Sequence, residues 1–306
     1  MDLSRQPVSR SVLHIVLMCL ALAVSMAAAA ADNSQSLDGA AGLRARYTQL
    51  QPQLQDNPFG RPLHLDSSEG SSAVKGDIYA VLDHPFAQVR ESLATPGNWC
   101  DILILHLNTK YCSLSTQGGR TMLRMHVGKK TPQDLRDTYR VDFTYTGGAA
   151  ANDYFSSSMR AEQGPLDTSD YRIQIEAVQL PDNRAFLHLS YSYSYGMAGK
   201  LALRAYLATV GRDKVGFTVV GQATDGKPKY VTGSRASVER NTMRYYLAID
   251  AYLASLSQPA ALRQEKRLDT WYTTTEQYRT QLNEVDRNAY LAMKRDEVAR
   301  QQLPAD

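Results

Sequence analysis

The sequence contains none of the short motifs that mark several common enzyme classes. It has no GxSxG nucleophile elbow, no GxxxxGK[ST] phosphate-binding loop and no GxGxxG after a predicted strand. Beyond the N-terminal region, histidines occur at positions 64, 84, 106, 126 and 188, and none has the partner four residues away that a helical metal site shows. We therefore predict no catalytic residue, no metal and no cofactor.

The net charge of the chain is also small. The chain has 34 basic and 31 acidic residues, a formal net charge of +3 with neutral histidines. Nucleic-acid recognition requires a concentrated basic surface. We therefore expect no nucleic-acid partner and no strong electrostatic attachment to a membrane.

Long apolar runs are absent except at the N-terminus. Arg5 and Arg10 precede an apolar stretch that becomes alanine-rich and ends in an Ala-x-Ala site before Asp32. This layout is typical of a secretory signal peptide, predicted here over residues 1–31, and a retained membrane anchor is the alternative. Cleavage would leave a nearly neutral chain of 275 residues in the periplasm or outside the cell.

Cysteines are few, and only Cys100 and Cys112 lie beyond the signal segment. There is no CxxC redox motif and no further cysteine to complete a zinc set, for which His106 alone is a poor addition. Two cysteines in an oxidising compartment usually pair. We predict a structural disulfide, with free thiols, a metal site or a redox pair as the alternatives.

Period-two alternation predicts a run of antiparallel strands from residue 121 to residue 196. A hairpin and two short helices precede it, and a long helix with a wide apolar arc follows at 234–257. Residues 258–306 are charged, with apolar residues at alternating spacings of three and four. They predict an amphipathic helix or helical pair that packs back on the domain, or that binds a coiled-coil partner.

Two segments resemble a known superfamily. VKGDIYAVLDHPFAQVRESLATPGNWCDIL, with its Pro-x-x-Trp-Cys turn, is similar to the opening strand and paired helices of the START and Bet v 1-like proteins. ASVERNTMRYYLAIDAYL is similar to their closing helix. The resemblance implies an α+β helix-grip fold, in which a curved antiparallel sheet wraps a long C-terminal helix, and a cavity that holds an apolar ligand in many members.

This reading divides the chain into four parts. A signal peptide occupies 1–31, and a polar segment with the first hairpin strand occupies 32–71. The helix-grip domain covers 72–257, and a helical appendage covers 258–306. In the helix-grip layout, a Cys100–Cys112 disulfide would hold the short helices against the sheet near the cavity mouth.

Candidate ligand-binding residues follow from two features. Arg124 and Asp142 lie on predicted strands among apolar neighbours, where they are either solvent-face charges or a pair on the cavity floor. Eighteen tyrosines against six phenylalanines are the second feature, because each tyrosine adds a hydroxyl to its apolar area. The tyrosine faces predict either an ordinary covered sheet or a cavity wall, lined by Tyr139, Tyr145, Tyr191, Tyr193 and Tyr195, with Met243, Tyr245 and Tyr246 opposite.

The leading hypothesis is therefore an exported protein that binds a hydrophobic or amphipathic small molecule such as a lipid. One alternative is an enzyme that uses the same pocket, with Arg124, Asp142 or a tyrosine as acid or base. The other is an adaptor without a ligand that binds a protein partner through residues 260–302. Transient contact with a membrane is a further expectation.

Overall fold

The computed structural model describes residues 39–302 except 198, 202–204, 206–208 and 210. The predicted signal peptide at 1–31 lies outside the described residues. Within the described residues, no helix is both long and apolar enough to cross a bilayer.

An eight-stranded antiparallel sheet forms the centre of the fold. Its strands are β1 (Leu63–Glu69), β2 (Ala73–Leu82), β3 (Thr109–Gln117), β4 (Arg120–Val127), β5 (Tyr139–Ala150), β6 (Tyr154–Gln163), β7 (Thr168–Gln179) and β8 (Ala185–Tyr195). They are arranged in the order β1-β2-β8-β7-β6-β5-β4-β3. Alternate residues of these strands enter one large core cluster, which defines the inner face of the sheet.

The helices are α1 (Ala40–Gln55), α2 (Phe86–Ala94), α3 (Asn98–Leu103), α4 (Gly233–Ser255), α5 (Ala260–Glu276), α6 (Arg279–Leu282) and α7 (Arg287–Gln301). A small hairpin of β9 (Val219–Gln222) and β10 (Pro228–Tyr230) precedes α4. α1 lies on the outer face of the sheet, where Leu43, Leu50 and Leu54 pack in one cluster with Val178 and Phe186.

The long helix α4 crosses the inner face at β1, β2 and β8. Gly76 of β2 makes the close approach possible, because a Cβ atom there would lie 2.5 Å from Thr242 Oγ1. The fully buried Glu239 of α4 accepts hydrogen bonds from Ser67 Oγ at 2.5 Å and from the backbone N–H groups of Phe217 and Thr218. These contacts fix the first half of α4 against β1 and the segment before β9. The predicted α+β helix-grip architecture is confirmed.

The C-terminal helices pack against this domain. Trp271 of α5 stacks on Tyr290 of α7, with ring centroids 5.0 Å apart, and donates its indole N–H to the carbonyl of Arg244 in α4. Leu268, Trp271 and Tyr290 are each at most 1% exposed. The apolar residues that recur every three or four positions in 260–302 therefore form a face that is buried against the domain.

A disulfide joins Cys100 of α3 to Cys112 of β3, as predicted. Trp99 beside it is buried and donates its indole N–H to the Leu93 carbonyl of α2. The bond closes a loop of twelve residues between the short helices and the edge strand of the sheet.

Replacing both cysteines with serine should lower the free energy of unfolding by about 3 kcal/mol, because the unfolded chain regains the entropy of that loop. Chemical denaturation of the oxidised protein and of the variant measures the difference. Intact mass of the exported protein, with and without reductant, provides the chemical check, and two free thiols would contradict the assignment.

Candidate functional site

Three tyrosines project from the inner face of β8 toward α4. Tyr191, Tyr193 and Tyr195 alternate with serines along the strand and are 4–6% exposed. The ring of Tyr171, on the adjacent strand β7, stacks on Tyr193 with centroids 5.3 Å apart. Unlike the β8 tyrosines, Tyr171 is only half-buried. The sheet thus presents an aromatic surface in which the Tyr171 ring remains partly exposed to solvent.

The opposite side is formed by one stripe of α4. Ser237, Asn241 and Tyr245 are spaced four residues apart, so they share one helix face. The Tyr245 ring packs edge-on against Tyr191, with centroids 5.2 Å apart, which directs this face toward the sheet. All three residues are half-buried, whereas Val238 and Thr242 next to the stripe are fully buried.

This helix face is turned toward the sheet and yet keeps part of its solvent exposure. We call this region the interior site, defined by Tyr171, Tyr191 and Tyr193 of the sheet and Ser237, Asn241 and Tyr245 of α4. On the other side of α4, Gly76 and Thr242 are in close contact. The helix is therefore packed tightly along the Gly76 side, whereas Ser237, Asn241 and Tyr245 on the other side keep part of their solvent exposure.

Burial sets the chemistry of the hydroxyl groups. It raises the pKa of Tyr191, Tyr193 and Tyr245, so these side chains are neutral hydroxyls at physiological pH. A hydrogen bond between the Ser237 and Tyr193 side chains lowers the pKa of Tyr193 and so opposes this rise. A hydrogen bond between the Asn241 and Tyr191 side chains does the same for Tyr191. The interior site therefore offers flat apolar rings with uncharged hydrogen-bonding groups at their ends.

His106, between α3 and β3, closes one end of the interior site. Its ring stacks on Tyr245 with centroids 5.0 Å apart, and it is 4% exposed. Burial and the charges of Arg244 and Lys294 lower its pKa well below the usual value, so the ring is neutral. Nδ1 accepts the backbone N–H of Asn108 at 3.2 Å, which places the remaining ring proton on Nε2.

The structure brings some of the predicted site residues together. Tyr191 and Tyr193 belong to the interior site. Tyr195 packs against Tyr193 at the end of β8, and its hydroxyl donates to Glu69 at 3.4 Å. Tyr145 is buried on the inner face, but its hydroxyl donates to the Ala94 carbonyl at 2.9 Å and so ties β5 to the end of α2.

Arg124 and Asp142 do not reach the interior, which corrects the predicted charged cavity floor. They face each other across β4 and β5 on the outer face, because their neighbours Leu123, Met125 and Val141 occupy the inner one. Asp142 pairs with Arg140 at 2.5 Å and with Arg124 at 3.6 Å. On the outer face these charges remain partly solvated, which avoids the cost of burying them.

Tyr139 and Tyr246 are also corrected, and Met243 is placed in the core. Tyr139 begins β5 and is 52% exposed, beyond the end of the covered face. Tyr246 points to another side of α4, where its ring lies under Arg61 of the segment before β1. Met243 is fully buried in the main core cluster. Of the side chains expected on α4, Tyr245 is the one that faces the β8 tyrosines.

The outer face carries a separate polar cluster centred on His188 of β8. Its ring nitrogens contact Asp77 at 2.8 Å and Glu176 at 2.9 Å, and Tyr79 stacks on the ring. Burial would lower the pKa of His188, but the hydrogen bonds with Asp77 and Glu176 raise it. The cluster is a satisfied ion network between β2, β7 and β8, and it lies on the opposite side of the sheet from the interior site.

No protein-family profile matches the sequence, and no curated protein matches it. Solved structures give weak similarities. Norcoclaurine synthase from Thalictrum flavum is 14% identical, over 47% of this chain and 89% of that one, with a TM-score of 0.32. The Zhui aromatase/cyclase from Streptomyces sp. R1128 is 13% identical, over 71% and 95%, with a TM-score of 0.31. Human StAR-related lipid transfer protein 5 is 9% identical, over 54% and 87%, with a TM-score of 0.30.

These similar structures comprise enzymes and a lipid-transfer protein. The architecture follows from the molecule's own strand order and helix placement. The chain has the helix-grip fold, in which an antiparallel sheet packs on a long helix near the C-terminus and two short helices follow the second strand.

Proposed function

We propose that this protein binds an amphipathic small molecule, such as a lipid, at the interior site. The half-buried stripe of Ser237, Asn241 and Tyr245 carries the proposal, because it faces aromatic rings of the sheet and is not fully covered by them. Small-molecule sites are usually concave and apolar, with a few placed polar groups. The neutral tyrosine hydroxyls and the Asn241 amide would supply those groups.

We further propose that binding takes place outside the cytoplasm. The Cys100–Cys112 disulfide supports this location, because such bonds persist in oxidising compartments and are rare in the cytosol. The apolar N-terminal run with its Ala-x-Ala site is the second support.

The two alternative functions have less support than ligand binding. The enzyme hypothesis named Arg124, Asp142 or a tyrosine as acid or base in the pocket. Arg124 and Asp142 lie on the outer face, which leaves the tyrosines of the interior site as its candidates. The adaptor hypothesis needs an exposed apolar stripe on residues 260–302, whereas Leu268, Trp271 and Tyr290 of that segment are buried.

Filling the interior site should abolish binding. Asn241→Trp places an indole beside Tyr191, one helical turn before Tyr245, and we expect the affinity for the neutral fluorescent probe N-phenyl-1-naphthylamine to fall at least tenfold, roughly 1.4 kcal/mol. Fluorescence titration measures the affinity. Leu114→Trp is the matched control, because Leu114 is 47% exposed on β3.

Near-UV circular dichroism and thermal unfolding show whether the Asn241→Trp variant keeps its fold. A folded Asn241→Trp protein that binds the probe as tightly as the parent protein would refute binding at the interior site.

A further inference from the structure

Three cations converge on a single carboxylate next to the interior site. Glu284, between α6 and α7, lies 2.7 Å from Lys130 Nζ, 2.8 Å from Lys214 Nζ and 3.0 Å from Arg244 Nη2. The cations come from three separate segments: the loop after β4, the loop before β9, and α4. We call these four side chains the Glu284 cluster.

The Glu284 cluster has more positive than negative charge. Burial would raise the pKa of Glu284, but Arg244 and Lys130 lower it to about 2, so the carboxylate is ionised at neutral pH. Burial and the charge of Arg244 lower the pKa of Lys130 to about 8, so the lysine is still mainly protonated. Three cationic groups thus lie within ion-pair distance of one carboxylate.

Two of the three cations can be reached from solvent. The side chains of Lys130 and Lys214 are 23% and 29% exposed, whereas those of Arg244 and Glu284 are at most 6% exposed. An incoming anion could therefore contact both ammonium groups without displacing the buried Arg244–Glu284 pair. Charge-assisted hydrogen bonds of this kind are stronger than those between neutral groups.

The Glu284 cluster adjoins the end of the interior site that His106 closes. Arg244 directly precedes Tyr245 in α4, and its positive charge opposes the rise in the pKa of Tyr245 that burial causes. After burial, the charge of Arg244 is the largest cause of the lowered pKa of His106, and Lys130 contributes as well. The positive charge of Arg244 therefore acts on the Tyr245 and His106 rings, and that of Lys130 acts on His106.

We infer that the ligand of the interior site is an amphipathic anion whose acidic group binds Lys130 and Lys214 while its apolar body contacts the tyrosines. This inference rests on the proposed function and specifies the chemical class of its ligand. A carboxylate, a sulfonate and a phosphate ester share the required chemistry, which is a negatively charged oxygen group at one end of an apolar molecule. Such a group would place a second negative charge beside Lys130 and Lys214, which share the Glu284 carboxylate.

Two naphthalene probes test the inference, because they share one aromatic skeleton and differ in charge. 1-Anilinonaphthalene-8-sulfonate is an anion, and N-phenyl-1-naphthylamine is neutral. We expect Lys130→Gln and Lys214→Gln each to weaken binding of the anionic probe about tenfold, as expected for losing a hydrogen bond to a charged group, and to change the affinity for the neutral probe less than twofold. Lys229→Gln is the control, since it removes the same charge from the exposed hairpin.

Glu284→Gln provides a test of opposite sign. It raises the excess positive charge by one, so the folded variant should bind the anionic probe more tightly than the parent protein. Thermal unfolding of every variant reports any loss of structure. If Glu284→Gln does not fold, the two lysine variants decide the question alone.

The outcomes separate this inference from the proposed function. If both probes bind and the lysine variants leave the ratio of the two affinities unchanged, the Glu284 cluster is only a structural clamp and the inference is wrong. If neither probe binds the parent protein, the proposed function fails, and the inference fails with it. Selective loss of the anionic probe in both lysine variants, with no such loss in Lys229→Gln, supports the inference.

Discussion

Trp271→Ala should lower the free energy of unfolding by about 3–5 kcal/mol, the usual cost of removing a large buried aromatic side chain. Trp271 is 1% exposed, stacks on Tyr290 of α7 and bonds through its indole N–H to the backbone of α4. The substitution therefore opens a cavity where three helices meet. Urea denaturation followed by circular dichroism measures the loss.

Leu262→Ala is the matched control for Trp271→Ala. Leu262 lies on the same helix, α5, and is 55% exposed, so its truncation should change stability by about 0.5 kcal/mol or less. If Trp271→Ala were as mild as Leu262→Ala, or if residues 258–306 unfolded in a separate transition, the C-terminal helices would be an appendage with its own stability. A single cooperative transition with a large loss is expected.

Glu297→Gln should be similarly damaging, at about 3–5 kcal/mol, because it leaves buried cations without their partner. Glu297 of α7 contacts Lys110 Nζ at 2.9 Å and Lys294 Nζ at 2.7 Å, and both lysine side chains are fully buried. Lys294 also donates to the carbonyls of His106 and Thr109. The carboxylate thus joins α7 to the first residues of β3.

The pH dependence of the Glu297→Gln effect follows from Lys294. Burial lowers its pKa to about 8, whereas the unfolded lysine titrates near 10.5. Protonated Lys294 is therefore unfavourable in the folded protein, and stability recovers as pH rises above the folded pKa. Without Glu297 this recovery should begin at a lower pH, so the deficit of the variant should be smaller at pH 9 than at pH 7.

Glu265→Gln is the control for Glu297→Gln. Glu265 pairs with Arg295 of α7 at 2.8 Å, but both side chains are half exposed. Exposed pairs contribute about 0–1 kcal/mol, so this change should be small. Equal effects of Glu265→Gln and Glu297→Gln in denaturant titrations at pH 7 would contradict the buried network.

The sequence allowed the fold to be predicted because local patterns specify it. Alternation along β8 places Tyr191, Tyr193 and Tyr195 on one face, and the structure has them there. The wide apolar arc of residues 234–257 indicated a helix pressed on a sheet, and α4 occupies that position. Both the alternation and the apolar arc depend only on residues that are close together in the chain, so they can be recognised in a single sequence.

The wrong and missing predictions concern the residues of the interior site, and they have two physical causes. Strand alternation already places Arg124 opposite Leu123 and Met125, so the charged-floor hypothesis conflicted with the pattern that predicted the strand. His106, Lys130 and Glu284 meet α4 from distant parts of the chain, which no local pattern reports. The spacing of Ser237, Asn241 and Tyr245 is local, and three polar side chains four residues apart on one helix face were the available signal.

Native mass spectrometry of the purified, delipidated protein, after incubation with an extract of membrane lipids, tests ligand binding most directly. We expect a one-to-one complex with an amphipathic molecule that carries an acidic group, and no complex with the folded Asn241→Trp variant. Absence of any bound molecule from the parent protein would contradict binding at the interior site. Equal binding by the parent protein and by Asn241→Trp would contradict it as well.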